Sequence, residues 1–356
     1  MRYSLLQSSL TIMSDSGVLS RLAQKVPAVP LCIASAVSVS LITWLLFRNK
    51  APRRTRAVLV GKERVLILGA TSGVGRVLAQ RYAARGAYVC VVGRREDKVN
   101  EVVQECTELA AQSGGPKDKL LGVKADCSNV SDMVRVRETL EKSWSGLDTL
   151  IVTAGVSALQ PLMTVAGVEM STPDIVGSQA SPEGIQHAVN AATAAVNGNY
   201  IGPYIAAVTF IPLLSYTSSS PSILLLSSAA AVIPAPTRSI YASTKSASLI
   251  LYQSLAIEHP LITFTFVIPA TIEGAFRASA VDNPPGSSGE PVIHEADPNK
   301  SGLKREAVVT RCIRAIDNRE KNVFMPLYFR AGHIVYWLWP AFVEWRARVK
   351  YNFSTN

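Results

Sequence analysis

From residue 64 onward, short apolar runs alternate with longer segments whose apolar positions recur every three or four residues. Val65-Leu66-Ile67-Leu68, Ala87-Tyr88-Val89-Cys90-Val91-Val92, Leu120-Leu121-Gly122-Val123, Thr149-Leu150-Ile151-Val152, Ile223-Leu224-Leu225-Leu226 and Thr263-Phe264-Thr265-Phe266-Val267-Ile268 are nearly unbroken. Runs of this length and continuity predict parallel strands buried on both faces. Between them, helical spacing is seen in Val77, Leu78, Tyr82 and Ala83, over residues 96–112 and 130–142, and from Ile250 to Leu255. A helix near 304–317 and a last strand near 323–327 complete the series. The alternation predicts an α/β fold, a doubly wound parallel sheet in one Rossmann-like domain.

The first strand runs directly into Gly69-Ala70-Thr71-Ser72-Gly73-Val74-Gly75 and then into a helical pattern. Strand, glycine turn and helix in that order suit a dinucleotide: glycines let backbone amides and the helix N-terminus approach a pyrophosphate. The second strand ends in Gly93-Arg94-Arg95, where an NAD site carries an acid for the ribose diol. Gly93 leaves room, and Arg94 or Arg95 can meet a 2′-phosphate, so NADP(H) is expected in preference to NAD(H). Asp126, after the third strand, is placed to hydrogen-bond the adenine.

The candidate reaction centre lies between the fifth strand and the following helix. Ser228 emerges at the strand's carboxyl end, and Tyr241 and Lys245, four residues apart, share one helix face. A free tyrosine is a poor acid–base group at neutral pH, but a neighbouring ammonium favours its phenolate. Ser228 can then hold a substrate oxygen. A bare Tyr-x-x-x-Lys also occurs as an ordinary pair on a helix face, and only its context distinguishes the two.

That context is the glycine turn, Thr153-Ala154-Gly155 after the fourth strand, and the thirteen-residue interval from Ser228 to Tyr241. With these in order, residues 64–327 resemble the short-chain dehydrogenase/reductase family. The resemblance implies a single domain with cofactor and substrate at the carboxyl ends of the strands, usually in a homodimer or homotetramer. It implies that Tyr241 is the acid in reduction, that Lys245 lowers its pKa and binds the nicotinamide ribose, and that Ser228 positions the carbonyl. Asn199 matches the helix asparagine that holds a water in the proton relay, with Asn197 as the alternative. Ala154 and Gly155, with Pro269 and Ile272 after the sixth strand, join Gly69, Thr71, Ser72, Gly73, Val74 and Gly75 as cofactor contacts.

Several positions depart from the family pattern. Leu68 stands where threonine is common, and Val152-Thr153-Ala154-Gly155 replaces Asn-Asn-Ala-Gly, so side-chain hydrogen bonds that stiffen that turn are expected to be missing. Pro269-Ala270 replaces Pro-Gly, and Gly274 stands where a threonine often contacts the carboxamide. Residues 156–186 are longer than usual, and loops of that kind are commonly functional or disordered. With residues 271–303 and the aromatic tail, they are expected to select the substrate. His294, alone in a polar loop, reads as solvated.

Composition adds a location. Hydrophobic residues make up 48% of the chain and charged residues only 17%. Residues 28–47 carry no charge and are long enough to span a bilayer, with Trp44 as an interfacial anchor. A cleaved signal peptide or a buried core helix are the other readings of this segment. Arg48, Lys50, Arg53, Arg54 and Arg56 follow it, so the positive-inside rule places the bulk of the chain in the cytosol, and the cluster can meet anionic headgroups. The expected organisation is an extension (1–27), a transmembrane anchor (28–47), a basic linker (48–63), the Rossmann-like domain (64–328) and a membrane- or dimer-facing tail (329–356).

The five cysteines are scattered, which argues against a disulfide scaffold or a zinc site, and no metal is expected. The net charge of +10 is spread along the chain and does not suggest nucleic acid. An anchored enzyme with apolar flanks points to the endoplasmic reticulum and a lipophilic carbonyl substrate. The architecture is similar to ketosphinganine reductases and 11β-hydroxysteroid dehydrogenases, which implies reduction of 3-ketodihydrosphingosine or turnover of a steroid or retinoid. The reading from another class is an NADP-binding sensor or scaffold without turnover.

Overall fold

A computed structural model of the chain describes residues 33, 35–40, 43, 53–112, 119–168, 179–283, 297–351 and 353. The chain divides into two compact units, Met1–Ala51 and Pro52–Asn356. In the first, the described residues are helical and exposed. Most of the expected span at 28–47 lies outside the described residues.

The second unit is built on seven parallel strands: β1 (Arg64–Leu68), β2 (Tyr88–Gly93), β3 (Leu120–Lys124), β4 (Thr149–Val152), β5 (Ser222–Leu226), β6 (Thr263–Pro269) and β7 (Asn322–Met325). Their order is β3-β2-β1-β4-β5-β6-β7, as the doubly wound reading requires. Alternation within strands sorts the core onto two faces. Leu66 and Leu68 of β1 point to one, with α3 (Val130–Trp144), α6 (Gly202–Thr217) and α7 (Ser239–Glu258). Val65 and Ile67 point to the other, covered by α1 (Gly73–Ala84), α2 (Glu96–Gln112) and α9 (Arg305–Asp317). Chain progression reverses between β1 and β4, opening a crevice at the carboxyl ends of the strands where such sheets bind ligands.

Three further helices are α4 (Leu162–Val165) and α5 (Pro182–Val196), between β4 and β5, and the short α8 (Pro298–Ser301), after β6. Ser181 caps α5 by accepting from the Gly184 amide, and Pro182 occupies the first turn, where its missing N–H costs nothing. Between α5 and α6 the helix continues through a π-helical turn, Asn197–Ile201. The combined helix, Pro182–Thr217, is the one among the described residues long and apolar enough to cross a membrane. Its Ala206, Phe210 and Leu214 are fully buried in the core, so packing against the sheet accounts for its apolarity. Two terminal helices, α10 (Tyr328–Leu338) and α11 (Pro340–Tyr351), follow β7.

The basic stretch before β1 differs from a plain linker. Arg54 is 2% exposed and pairs with Glu63, also 2% exposed, at 2.5 Å. Its guanidinium also donates to the carbonyls of Ser220 (2.8 Å) and Asp148 (2.9 Å), beyond the amino ends of β4 and β5. Arg54 is therefore a structural clamp under the sheet and not a headgroup contact. Sequence position beside other arginines concealed this, because its partners lie up to 166 residues away.

Candidate active site

A cleft of about 2000 Å³ opens at the carboxyl ends of the strands. Gly69, at the end of β1, takes φ +85°, and a Cβ there would lie 2.6 Å from the Ala154 amide nitrogen. The turns after β1 and β4 thus touch through backbone. A Cβ on Gly75 would meet the Gly69 carbonyl at 2.2 Å, so α1 packs onto the turn as closely as glycine allows. Gly73 takes φ +55° with open space beside it, and no side chain caps the N-terminus of α1. Uncapped amides facing an open, glycine-lined space fit a pyrophosphate.

Two details change the expectations for this half. Thr153 Oγ1 donates to the Leu68 carbonyl at 2.8 Å, so the turn after β4 is stiffened by a side-chain hydrogen bond after all. A Cβ on Gly93 would strike Thr71 Cγ2 at 2.3 Å, so the space that Gly93 leaves is taken by Thr71. Arg94 and Arg95 are exposed and line the cleft. Asp126 also lines it, with Oδ1 engaged by the amide and hydroxyl of Ser128 (2.9 and 2.7 Å).

On the reaction side, Ser228 lies two residues past β5 in extended conformation and caps the turn Ala229–Ala231, its hydroxyl accepting from the Ala230 amide at 3.2 Å. Tyr241 and Lys245 lie in the first two turns of α7. Lys245 is 5% exposed, and its Nζ donates to the Leu226 carbonyl at 3.2 Å. Burial pulls its pKa down to about 8. Burial also raises the Tyr241 phenol above its ordinary value, opposed by a hydrogen bond with Ser228 and by the Arg238 guanidinium. A cation that the sequence did not single out, the Arg238 guanidinium, lies 5.9 Å from the Tyr241 ring centroid. Arg238 NH1 also donates to the Ala158 carbonyl at 3.2 Å.

Asn199 is fully buried in the π-helical turn, behind the cleft. Its side chain exchanges hydrogen bonds with Val156 (Val156 N to Oδ1, 2.9 Å; Nδ2 to Val156 O, 3.0 Å) and donates to Thr244 Oγ1 at 3.1 Å. A Cβ on Gly155 would lie 2.7 Å from Asn199 Oδ1 and 3.3 Å from Lys245 Nζ. Asn199 therefore ties the β4 turn to α7 one residue before Lys245, and a π turn at such a junction is a common mark of function. Apart from Asn199, every site residue named from the sequence lines the cleft, from Gly69, Thr71, Ser72, Gly73, Val74 and Gly75 through Ala154, Gly155, Ser228, Tyr241 and Lys245 to Pro269 and Ile272. Asn197, the alternative, lines it too. Among the described residues no group of His, Cys, Asp or Glu is arranged to hold a metal ion.

Residues 63–284 match the family model described as short chain dehydrogenase. The chain belongs to the short-chain dehydrogenase family. One relative, "11-beta-hydroxysteroid dehydrogenase-like 4A" of Arabidopsis thaliana, is 33% identical over 211 residues, covering 59% of this chain and 60% of that protein. The chain thus matches about three fifths of that relative's length. "11-beta-hydroxysteroid dehydrogenase A" of Arachis hypogaea is 28% identical over 322 residues, 88% of this chain and 79% of that protein. Among solved structures, a short chain dehydrogenase/reductase from Burkholderia phymatum in complex with NAD superposes with TM-score 0.61 at 18% identity, covering 78% of this chain and 94% of that one. One from Burkholderia cenocepacia in complex with NADP gives 0.57 at 18% identity, covering 81% and 98%. At that identity the structures establish the fold.

Sequence reasoning expected residues 271–303 and the aromatic tail at the substrate but did not single out which of their residues line this dehydrogenase's cleft, nor Arg238. Arg238 and Phe276 flank Tyr241, the latter edge-on with ring centroids 6.1 Å apart, and neither belongs to a recurring motif. The terminal helices line the cleft through Tyr328, Phe329, Arg346 and Lys350. A signal for the tail's cleft face was present: Val343, Arg346, Ala347 and Lys350 fall at helical spacing on one face.

The lowered pKa of Lys245 makes a stability prediction. Its folded value, about 8, lies below that of the unfolded chain, so the unfolded state binds more protons between the two values. The penalty for holding the lysine buried is therefore full below pH 8 and is relieved as pH rises towards the unfolded value. Relative to the parent protein, Lys245→Met should gain most in Tm at pH 7 and lose that advantage between about pH 8 and 10. Differential scanning fluorimetry of the pair across this range checks it. A constant difference would place Lys245 in solvent.

Proposed function

We propose that this dehydrogenase is an NADP(H)-dependent oxidoreductase acting on a carbonyl or secondary alcohol of a lipophilic substrate. The observation that carries the reading is the convergence of the glycine turn, Ser228, Tyr241 and Lys245 on one cleft. When bound, the nicotinamide supplies or accepts the hydride. Ser228 holds the carbonyl oxygen, and Tyr241, hydrogen-bonded to Ser228, delivers the proton to it. Lys245, buried beside the Leu226 carbonyl, orients the ribose and feeds the proton path that begins at the π turn of Asn199. Asp126, Ala154, Gly155, Pro269 and Ile272 wall the cofactor.

Exposed Arg94 and Arg95, with no acid at the end of β2, support NADP(H) over NAD(H). Arg94→Ala should lower the NADPH-to-NADH ratio of kcat/KM about tenfold, since a charge-assisted bond to the 2′-phosphate is lost. An unchanged ratio would remove Arg94 from the phosphate site.

The uncharged 28–47 segment supports a membrane anchor with the catalytic unit in the cytosol, on the endoplasmic reticulum. Exposed Tyr204, Val208, Ile250 and Ile257 on α6 and α7 support a homodimer or homotetramer. The names of the steroid-type relatives support a steroid-like or similar lipophilic carbonyl compound, and 3-ketodihydrosphingosine fits the same description. NADPH oxidation by the purified full-length protein across steroid, retinoid, sphingoid and acyl ketones tests the reading. NADPH binding without turnover of any of them would favour a sensor.

A further inference from the structure

α11 carries two distinct stripes. Val343, Arg346, Ala347, Lys350 and Tyr351 face the cleft, whereas Phe342, Trp345 and Val349 are exposed outside this stripe. α10 holds it in place: His333 Nδ1 lies 2.9 Å from the Val232 carbonyl, and a Cβ on Gly332 would meet Ile233 Cδ1 at 3.3 Å. Val232 and Ile233 belong to the segment between Ser228 and Tyr241, so the terminal helices stand over the substrate side of the reaction centre. In an interfacial helix the cations would border the aqueous phase. Here Arg346 and Lys350, both exposed, border the open cleft.

Neither cation has a carboxylate within ion-pair distance among the described residues. Arg348, off the cleft-facing stripe, takes Glu344 at 3.8 Å. Of the carboxylates lining the cleft, Asp126 is engaged by Ser128 at the adenosine end. Glu273 is tied to Lys304 (3.0 Å) and the Arg305 amide (2.9 Å). Arg346 and Lys350 instead lie over their aromatic neighbours, Trp345 at 5.8 Å and Tyr351 at 5.1 Å. Two like charges one helical turn apart repel, and an anion between them removes that cost. The cleft, about 2000 Å³, also exceeds the roughly 300–1,000 Å³ of an ordinary ligand pocket, which leaves room beside a dinucleotide for a second large molecule.

We propose that Arg346 and Lys350 receive the anionic head group, a phosphate or a carboxylate, of an amphiphilic carbonyl substrate whose reacting carbon lies at Tyr241. This rests on the carbonyl oxidoreductase reading above. The guanidinium offers a planar fork and the ammonium a point charge, and both heads satisfy them. Ile233, Phe329 and Val343 supply apolar wall for the chain.

The test uses full-length protein in detergent micelles with saturating NADPH and three long-chain ketones of one length, ending in phosphate, carboxylate or hydroxyl. The preferred anionic ketone should exceed the hydroxyl one in kcat/KM by about tenfold at low salt, the scale of two solvent-exposed ion pairs. The preference should shrink as ionic strength rises, and in the Arg346→Gln, Lys350→Gln double variant the ratio should fall to about one. Phosphate and carboxylate arms identify the head group. Equal turnover of all three by the parent protein, or a preference that survives both salt and the double variant, overturns the proposal. Should the double variant fold poorly, the salt dependence of the parent protein decides. Reduction of none of the three by protein that turns over another ketone of the wider panel overturns this proposal alone, whereas NADPH binding with no turnover of any ketone removes the oxidoreductase reading and this proposal with it.

Discussion

Tyr241→Phe is expected to lower kcat/KM for carbonyl reduction by about a thousandfold while NADPH affinity changes less than twofold. The proton must come from a group within reach of the substrate oxygen, and positioned general acids contribute roughly 10²–10⁴ in rate. Tyr241 lines the cleft, hydrogen-bonds Ser228 and has Arg238 beside its ring. Phenylalanine keeps the edge-on contact with Phe276 and removes only the hydroxyl. Steady-state kinetics paired with NADPH titration by fluorescence checks both halves. Activity within tenfold of the parent would assign the proton to another group.

Arg54→Met is expected to destabilise the second unit by about 3–5 kcal/mol, because it leaves the Glu63 carboxylate buried without its counter-charge. Two backbone carbonyls, of Ser220 and Asp148, lose their donor as well. For a unit of this size the loss corresponds to a fall in Tm of about 10 °C. Adding Glu63→Gln should recover part of it, since removing both charges of a buried pair costs far less than removing one. Thermal melts of the two single variants and the double variant, run as a cycle, measure the coupling. A single variant that melts within 2 °C of the parent would mean that Arg54 is solvated.

The fold was legible because its signal is local. Apolar runs such as Val65–Leu68 and Ile223–Leu226 need no partner to be recognised, and their spacing leaves few alternatives to a doubly wound sheet. The cofactor turn was legible for the same reason: a Cβ at Gly69 or Gly75 would lie 2.6 or 2.2 Å from neighbouring backbone, so both positions call for glycine. What could not be read are features that depend on distant neighbours. Arg54 resembles the arginines beside it, and only the fold buries it against Glu63 and Ser220. Thr153 looked like a lost hydrogen bond because the residue type differs from the family pattern, yet its hydroxyl reaches Leu68. Gly93 looked like room for a phosphate and proved to be room for Thr71.

The reaction centre was legible in identity and less so in electrostatics. Spacing placed Ser228, Tyr241 and Lys245 together, but the balance of charge around Tyr241 depends on which cation faces it. Arg238, the residue just before α7, adds its charge beside Tyr241, and Lys245 Nζ donates to the Leu226 carbonyl. The substrate end depends on α11 folding back over the cleft, which makes Arg346 and Lys350 lining residues.

The most direct test of the central claim follows the hydride. Full-length protein is incubated with NADPH deuterated at C4 and a panel of lipophilic ketones, and the products are weighed by mass spectrometry. A single deuterium on the carbinol carbon of at least one alcohol, absent with Tyr241→Phe, is the predicted result. NADPH that binds yet transfers deuterium to no carbonyl compound would contradict it.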